Sequence, residues 1–184
     1  MISERAKDGF NNLLQDALRK NLAASFADVC SVETIEDESE INEKEIVVMS
    51  ISSYLFRIIT FFYFTLTDTT KDQFAKIIKV QVADLDARAF YDAIGEFGNM
   101  YCGSLNRDVG KYFPNVGLST PNILEKNCAA YVTSLDCGYI QHYRVNVNNS
   151  VAFHASLCIC AYADLDFIVE KDAEAVCDGE LEMF

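Results

Sequence analysis

The stretch "FYDAIGEFGNMYCGSL", Phe90 to Leu105, combines a helical apolar pattern with three glycines and several polar residues. At 100° per residue its large apolar side chains fall on one side of a helix: Phe90, Ile94, Phe97, Tyr101 and Leu105. This stripe predicts a long amphipathic helix that is capped by Asp84 or Asp86 and ends near Val109. Each glycine costs roughly 1 kcal/mol of helix stability relative to alanine, so the three glycines need an explanation.

The opposite side of this helix carries a line of residues that we call the polar row: Asp92, Glu96, Asn99 and Gly103. Gly95 borders the row, and glycines there remove bulk, so that the backbone of another molecule could approach closely. Gly98 lies nearer the buried side, where it would let a neighbouring element pack tightly. An ordinary solvated surface also carries such residues, and the helical wheel alone favours that interpretation.

Composition predicts one globular domain, residues 1–171, followed by an acidic tail, residues 172–184. Hydrophobic residues make up 51% of the 184 positions, enough for a proper core. The net charge of −13 argues against binding nucleic acid or an anionic membrane, because no basic surface is available. The start "MISERAKDGF" has no signal peptide, so the seven cysteines predict reduced thiols and a cytoplasmic protein.

The first 67 residues predict a helix, an acidic loop and two strands. Apolar residues recur at helical spacing from about Ser3 to Val29, and residues 33–45 form an acidic stretch without periodicity. The run from Ile46 to Leu66 is long enough to cross a membrane, but Arg57 would then lie near the middle of the bilayer. Its content of Val, Ile, Phe and Tyr favours two buried strands instead, residues 46–52 and 55–67.

The rest of the chain predicts a short helix before the long one, a loop and a final pair of strands. The short helix lies within residues 67–81, and residues 111–124 form a loop with at most a short strand. Residues 139–147 and 151–163 are strand-like and flank the turn signal "NNS". Strand hairpins with helices between them indicate an α+β fold of mixed α/β layers, not alternating βαβ units.

A second group of chemically active residues alternates along the predicted last strand: His154, Ser156, Cys158, Cys160 and Tyr162. His-x3-Cys-x-Cys could suggest zinc, but strand residues i and i+2 lie about 6.6 Å apart, which is awkward for two tetrahedral thiolates. We therefore favour a buried or interface strand face and predict no metal site. Cys102, beside the polar row, is likewise interpreted as a packing residue.

Two segments together resemble a known family. Asp92-x3-Glu96-x2-Asn99-x3-Gly103, followed by the sequence "LSTP" at residues 118–121, resembles the CheC/CheX/FliY family of chemotaxis phosphatases. The similarity in element order covers roughly residues 10–169. CheC-type members carry two Glu-x-x-Asn copies, whereas this chain has one. Its first helix offers only Asp8-x-x-Asn11, and we interpret the shortened carboxylate as ordinary surface. The single intact copy is similar to CheX-type members.

The resemblance implies a CheC/CheX-like fold, with an antiparallel-rich sheet packed against long helices, and a phosphatase for the phosphoaspartate of a CheY-like receiver domain. It implies that Asn99 positions the attacking water, since an amide can donate and accept hydrogen bonds at once. Glu96 would pair with a lysine of the partner, and Asp92, Gly95 and Gly103 would help docking.

The resemblance also carries expectations about cofactors, partners and alternatives. No cofactor is expected on this chain, because the partner receiver domain would supply Mg²⁺, and the chain is expected to form a homodimer. The alternative is a non-catalytic domain of the same fold that binds receiver domains or serves as a flagellar-switch-type scaffold. A ligand- or redox-responsive adaptor that uses the cysteines is a third and more distant hypothesis.

Overall fold

The computed structural model describes residues 1–169, apart from the side chains of residues 132–134. The α helices of this part are α1 (Glu4–Leu22), α2 (Asp68–Ile78) and α3 (Ala87–Val109). Its strands are β1 (Cys30–Ile35), β2 (Glu45–Ser52), β3 (Phe56–Phe64), β4 (Gly117–Leu118), β5 (Asn122–Glu125), β6 (Tyr139–Val147) and β7 (Val151–Ala161). Short 3-10 segments span Glu38–Glu40, Val82–Asp84 and Lys126–Leu135. The predicted boundary between domain and acidic tail, at residues 171 and 172, lies outside the described residues.

The strands form one antiparallel sheet in the order β1-β6-β7-β3-β2-β4, and β5 also pairs with β2. Apolar side chains of all three α helices join one face of this sheet in the main hydrophobic core. A smaller core cluster lies on the other face, which we call the far face; it includes Ile41 from the β1–β2 connection and Ala129 from the last 3-10 segment. This architecture confirms an α+β fold with an antiparallel sheet packed against long helices.

Strand β3 is central in the sheet and is buried on both faces. Phe62 and Phe64 lie in the main core, whereas Phe61 and Tyr63 lie in the far-face cluster. Such burial on both sides explains why the run 46–66 is almost continuously apolar. The prediction of two strands here is confirmed, and no helix among the described residues is long and apolar enough to cross a membrane.

Helix α3 places its apolar stripe in the main core, as its spacing predicts. The five stripe residues Phe90, Ile94, Phe97, Tyr101 and Leu105 are at most 1% exposed. Asp86 caps the helix, because its side chain accepts a hydrogen bond of 2.8 Å from the backbone N–H of Ala89. The ring of Phe97 packs against those of Phe62 on the sheet and Phe74 on α2, with centroid distances of 4.7 and 5.5 Å.

Three local predictions were wrong. Helix α1 ends at Leu22 rather than near Val29, and Phe26, which the pattern places in the helix, is fully exposed. The predicted loop 33–45 includes the end of β1 and a 3-10 turn, and the loop 111–124 contains β4 and the start of β5. In the two predicted loops, short edge strands are held by backbone pairing with a neighbour, which leaves little apolar pattern in the sequence.

Candidate functional site

The polar row lies on the outer side of α3, where Asp92, Glu96 and Asn99 are exposed and Gly103 is half-buried. The structure brings Glu96 and Asn99 together: Nδ2 of Asn99 donates a hydrogen bond of 3.3 Å to Oε2 of Glu96. Asp92 lies one helical turn before Glu96. Because the row follows the helix axis, its side chains project in one direction from a single rigid element.

The hydrogen bond between Asn99 and Glu96 orients the amide. An amide nitrogen only donates, whereas the amide oxygen only accepts, so pairing with a carboxylate turns Nδ2 toward Glu96. Oδ1 of Asn99 then remains as an acceptor on an exposed side chain. Glu96 keeps its second carboxylate oxygen for a further donor. The pair thus offers a water acceptor and an anionic group next to each other.

The glycines of α3 differ in what surrounds them. A Cβ atom at Gly103 would have no other heavy atom within 4 Å, so the helix is open there. A Cβ atom at Gly95 would meet only Cγ of Pro121, at 3.9 Å. At Gly98 it would lie 2.9 Å from Cγ1 of Val47 on β2, which confirms that Gly98 serves close packing. A role of Gly95 and Gly103 in docking stays a prediction.

The segment after β4 forms one wall beside the polar row. The backbone N–H of Ser119 donates to the carbonyl of Ser50, and its Oγ accepts from the N–H of Ser50, both at 2.9 Å. These bonds hold the segment on β2 and place Pro121 against Gly95 and Gly98 of α3. Sequence reasoning used "LSTP" only as part of a motif and missed this contact. Its signal was the pair of glycines three residues apart, which leaves room for a ring.

The polar row lies outside two cavities formed by residues 1–169. A cavity of about 750 Å³ lies between α1 and the end of α3, beside Arg19 and Asp108, and another of about 610 Å³ lies beside Tyr91. Neither is lined by any residue of the polar row. Sites for small molecules usually enclose most of the ligand. An exposed row on a helix instead suits a reacting group that a partner macromolecule presents.

The first helix does not offer an equivalent pair. Asp8 is exposed, as an ordinary surface residue would be. Asn11, however, is half-buried, and its Oδ1 accepts hydrogen bonds from the hydroxyls of Tyr139 and Tyr143, at 3.0 and 2.6 Å. The amide of Asn11 therefore anchors α1 to β6. Asn99 differs from Asn11 in being exposed.

The far face of the sheet holds the second group of residues singled out in the sequence. His154, Ser156, Cys158 and Cys160 are buried there, whereas Tyr162 follows the end of β7 and is exposed. Nδ1 of His154 lies 2.7 Å from Oε1 of Glu43. Among the described residues, no three His, Cys, Asp or Glu side chains come together as a possible metal site. The zinc alternative thus finds no ligand set in this part of the chain.

Cys102 of α3 lies in the main core. Its Sγ is 3.1 Å from Oγ1 of Thr60, which also lies 2.9 Å from the hydroxyl of Tyr101. Burial raises the pKa of the Cys102 thiol to about 12, so the thiolate is rare at neutral pH. This environment agrees with a packing role.

Comparison with solved structures identifies the fold. A chain of the CheX–CheY–BeF3–Mg²⁺ complex from Borrelia burgdorferi aligns with a TM-score of 0.59 at 10% identity, over 83% of this chain and 96% of that one. A CheC-like superfamily protein from Shewanella aligns with a TM-score of 0.57 at 11% identity, over 86% and 99% of the two chains. The chain therefore has the fold of CheX and CheC-like chemotaxis proteins.

The same fold also occurs in a FliM protein. The middle domain of FliM from Vibrio alginolyticus aligns with a TM-score of 0.54 at 5% identity, over 85% of this chain and 94% of that one. No protein-family model and no curated protein sequence matches the chain. At identities this low the similarity shows the fold alone, and the function has to be argued from the polar row.

Proposed function

We propose that this chain, on the fold it shares with CheX and CheC-like chemotaxis proteins, is a phosphatase for the phosphoaspartate of a CheY-like receiver domain. The observation that carries the proposal is the hydrogen-bonded pair of Glu96 and Asn99 on an exposed helix face. The open backbone at Gly103 supports it, because a narrow helix face can enter a partner's cleft. The complex of CheX with CheY from Borrelia burgdorferi supports a partner of this kind.

Hydrolysis of an acyl phosphate needs an aligned water more than a strong base, because the carboxylate is a good leaving group. In the proposed reaction a water attacks phosphorus while the bond between phosphorus and the aspartyl oxygen breaks, which yields phosphate and a free aspartate. Oδ1 of Asn99 accepts a hydrogen bond from this water, so that a lone pair of the water points at phosphorus. Asn99 would then contribute to catalysis by positioning the attacking water.

Glu96 supplies the docking charge in this proposal. A carboxylate on the exposed face of α3 can accept charge-assisted hydrogen bonds from a lysine ammonium of the receiver domain. Because Asn99 binds one carboxylate oxygen, the lysine, Glu96 and Asn99 would form one connected array. Asp92, one turn earlier, extends the negative charge along the helix and would help to orient the receiver domain.

We place Mg²⁺ on the receiver domain and not on this chain. The ion, when bound there, neutralises charge on the phosphoryl oxygens. The polar row has only two carboxylates, those of Asp92 and Glu96. No group of three potential metal ligands occurs among residues 1–169. In the complex from Borrelia burgdorferi, CheX and CheY occur together with BeF3 and Mg²⁺. A homodimer, expected from the resemblance, remains part of the proposal.

The decay of a phosphorylated receiver domain tests the proposal. CheY-like receiver domains from the same organism would be phosphorylated with acetyl phosphate, and the loss of phosphoaspartate followed with and without the chain. We expect Asn99→Ala to abolish the acceleration and leave binding to the BeF3-loaded receiver intact, and Glu96→Ala to weaken both. Asn12→Ala, an exposed asparagine on α1, is the matched control. A double alanine variant that still accelerates decay at the wild-type rate would refute the assignment.

The second candidate function is a non-catalytic domain that docks receiver domains or flagellar switch components. The similarity of fold to the FliM middle domain favours it. The same assay separates the two functions, because a scaffold would bind the BeF3-loaded receiver without changing the decay rate. In that case Glu96→Ala would still weaken binding. Asn99→Ala would leave the decay rate unchanged, because the wild-type chain would not accelerate decay.

A further inference from the structure

Two cysteines on the far face of the sheet approach each other closely. Sγ of Cys137 lies 2.7 Å from Sγ of Cys160, although the residues are 23 positions apart in the chain. This distance is shorter than van der Waals contact between sulfur atoms and is a small movement away from a disulfide of about 2.05 Å. Cys160 is buried on β7, while Cys137 is half-buried, so a reagent can reach the pair through Cys137.

The pair lies where a cover segment rejoins the sheet. Residues 126–137, which we call the cover segment, contain the last 3-10 element and lie over the smaller core cluster, where Ala129 is 3% exposed. A cavity of about 300 Å³ remains between this segment and the sheet, lined by Ile59, Phe61 and Tyr131 among others. The cover segment is thus less closely packed than the core beneath it. A bond at its end, Cys137, would hold the segment on the sheet.

We propose that Cys137 and Cys160 form a reversible disulfide bond that ties the cover segment to strand β7. The bond would join the end of the cover segment to a buried position on the sheet. In the reduced state Sγ of Cys160 instead donates a hydrogen bond of 3.4 Å to the carbonyl of Leu135. Oxidation removes that thiol proton and replaces a weak contact by a covalent one. This inference is independent of the phosphatase proposal.

Oxidised glutathione, a low-molecular-weight disulfide, is a sufficient oxidant. The thiolate of Cys137 attacks one of its sulfur atoms, breaks its disulfide and releases one glutathione thiolate. The Cys160 thiolate, its proton passing to solvent, then attacks the Cys137 sulfur and releases the second glutathione. Two protein thiols are oxidised, and one small disulfide is reduced to two thiols. Burial raises the pKa of Cys137 to about 12, so we expect slow formation near neutral pH.

Peptide mapping of the whole protein tests the pairing. After exposure to oxidised glutathione and alkylation of the remaining thiols, trypsin should release peptides 127–144 and 145–171 joined by a disulfide, and dithiothreitol should separate them. Cys137→Ser and Cys160→Ser should each abolish the link. Cys128→Ser is the matched control, because Cys128 is exposed on the same peptide as Cys137, and this variant should keep the link.

Several results would overturn the proposal. These are the absence of the linked peptides, a link that survives in Cys137→Ser, and a link that is lost in Cys128→Ser. Amide hydrogen exchange provides a second readout that does not depend on the mapping. Oxidation should slow exchange of residues 126–137 at least several-fold in the wild type and not in Cys160→Ser. Unchanged exchange in the oxidised wild type would show that the bond does not tie the cover segment.

Discussion

Val47 of β2 occupies the space into which a side chain at Gly98 of α3 would extend. A Cβ atom at Gly98 would lie 2.9 Å from Cγ1 of Val47 and 3.5 Å from Cβ of Pro121. The helix that carries the polar row is therefore seated directly on the sheet, and the position of Asn99 follows from that close contact. Gly98 and Asn99 are neighbours in α3, and the close packing of the first against the sheet leaves the second exposed.

Gly98→Ala should destabilise the fold. The new methyl group would meet three atoms within 4 Å, and the nearest belongs to the fully buried Val47, so we expect a loss of about 1–3 kcal/mol in the free energy of unfolding. Urea denaturation monitored by circular dichroism measures it. Gly103→Ala is the matched control, because its methyl group meets nothing within 4 Å. There we expect a gain of about 0.4–1 kcal/mol, and equal losses in both variants would contradict this account of α3.

A large side chain at Gly103 should impair docking without harming the fold. Since the position is open, Gly103→Leu should leave the free energy of unfolding unchanged or slightly raised. If a receiver domain approaches α3 closely, the same change should weaken its binding at least tenfold, as isothermal titration with a BeF3-loaded receiver would show. Asn12→Leu on α1 is the control for an exposed apolar residue elsewhere. Undiminished affinity in Gly103→Leu would place the docking surface away from α3.

Removing the charge of Glu96 should weaken binding to the receiver domain without changing the shape of α3. Glu96→Gln keeps the size of the side chain, so loss of a lysine partner should lower receiver affinity by about five- to tenfold and reduce its dependence on salt. Binding measured between low and physiological ionic strength gives both values. Glu33→Gln, an exposed carboxylate on β1, is the control. An equal loss in Glu33→Gln would mean that net charge and not a specific pair attracts the partner.

The buried Cys102 should make the fold sensitive to alkali. Its ordinary pKa of 9.0 is raised to about 12 by burial, so above pH 9 the unfolded chain loses a proton that the folded chain keeps. Stability from this group is complete below pH 9 and is lost as the pH rises toward 12, at up to about 1.4 kcal/mol per pH unit. Urea unfolding at successive pH values measures the slope. Cys102→Ala should lower it, whereas Cys128→Ala, at an exposed position, should not.

Helix α3 and the central strands could be predicted because their patterns are strong. The stripe from Phe90 to Leu105 repeats over four turns, and burial of β3 on both faces leaves a long apolar run. Strand β1 was missed for the opposite reason. Only Val32 and Ile35 of β1 are buried, and Glu33 is exposed, so its strand conformation depends on pairing with β6, which lies more than 100 positions later.

Contacts at the candidate site were predictable only in part. The spacing of Glu96 and Asn99 predicts neighbours on one helix face, and their hydrogen bond agrees with it. For the wall formed by Pro121, the two glycines indicate only that space is available, because the residue that fills it depends on the pairing of Ser119 with Ser50. Likewise, nothing local to Asn11 indicates that a tyrosine hydroxyl of β6 holds its amide. Such long-range partners follow from topology, which local periodicity does not encode.

The central position of β3 has a consequence for how the protein is made. One edge of β3 pairs with β2, which directly precedes it, but the other pairs with β7, with Ile58 opposite Ile159. During synthesis, the most apolar segment of the chain therefore leaves the ribosome with one edge unpaired until nearly the whole domain has followed. Closing that long loop makes folding slow, and the open edge invites association between nascent chains. Productive folding thus depends on keeping this hairpin apart from other copies until β7 arrives.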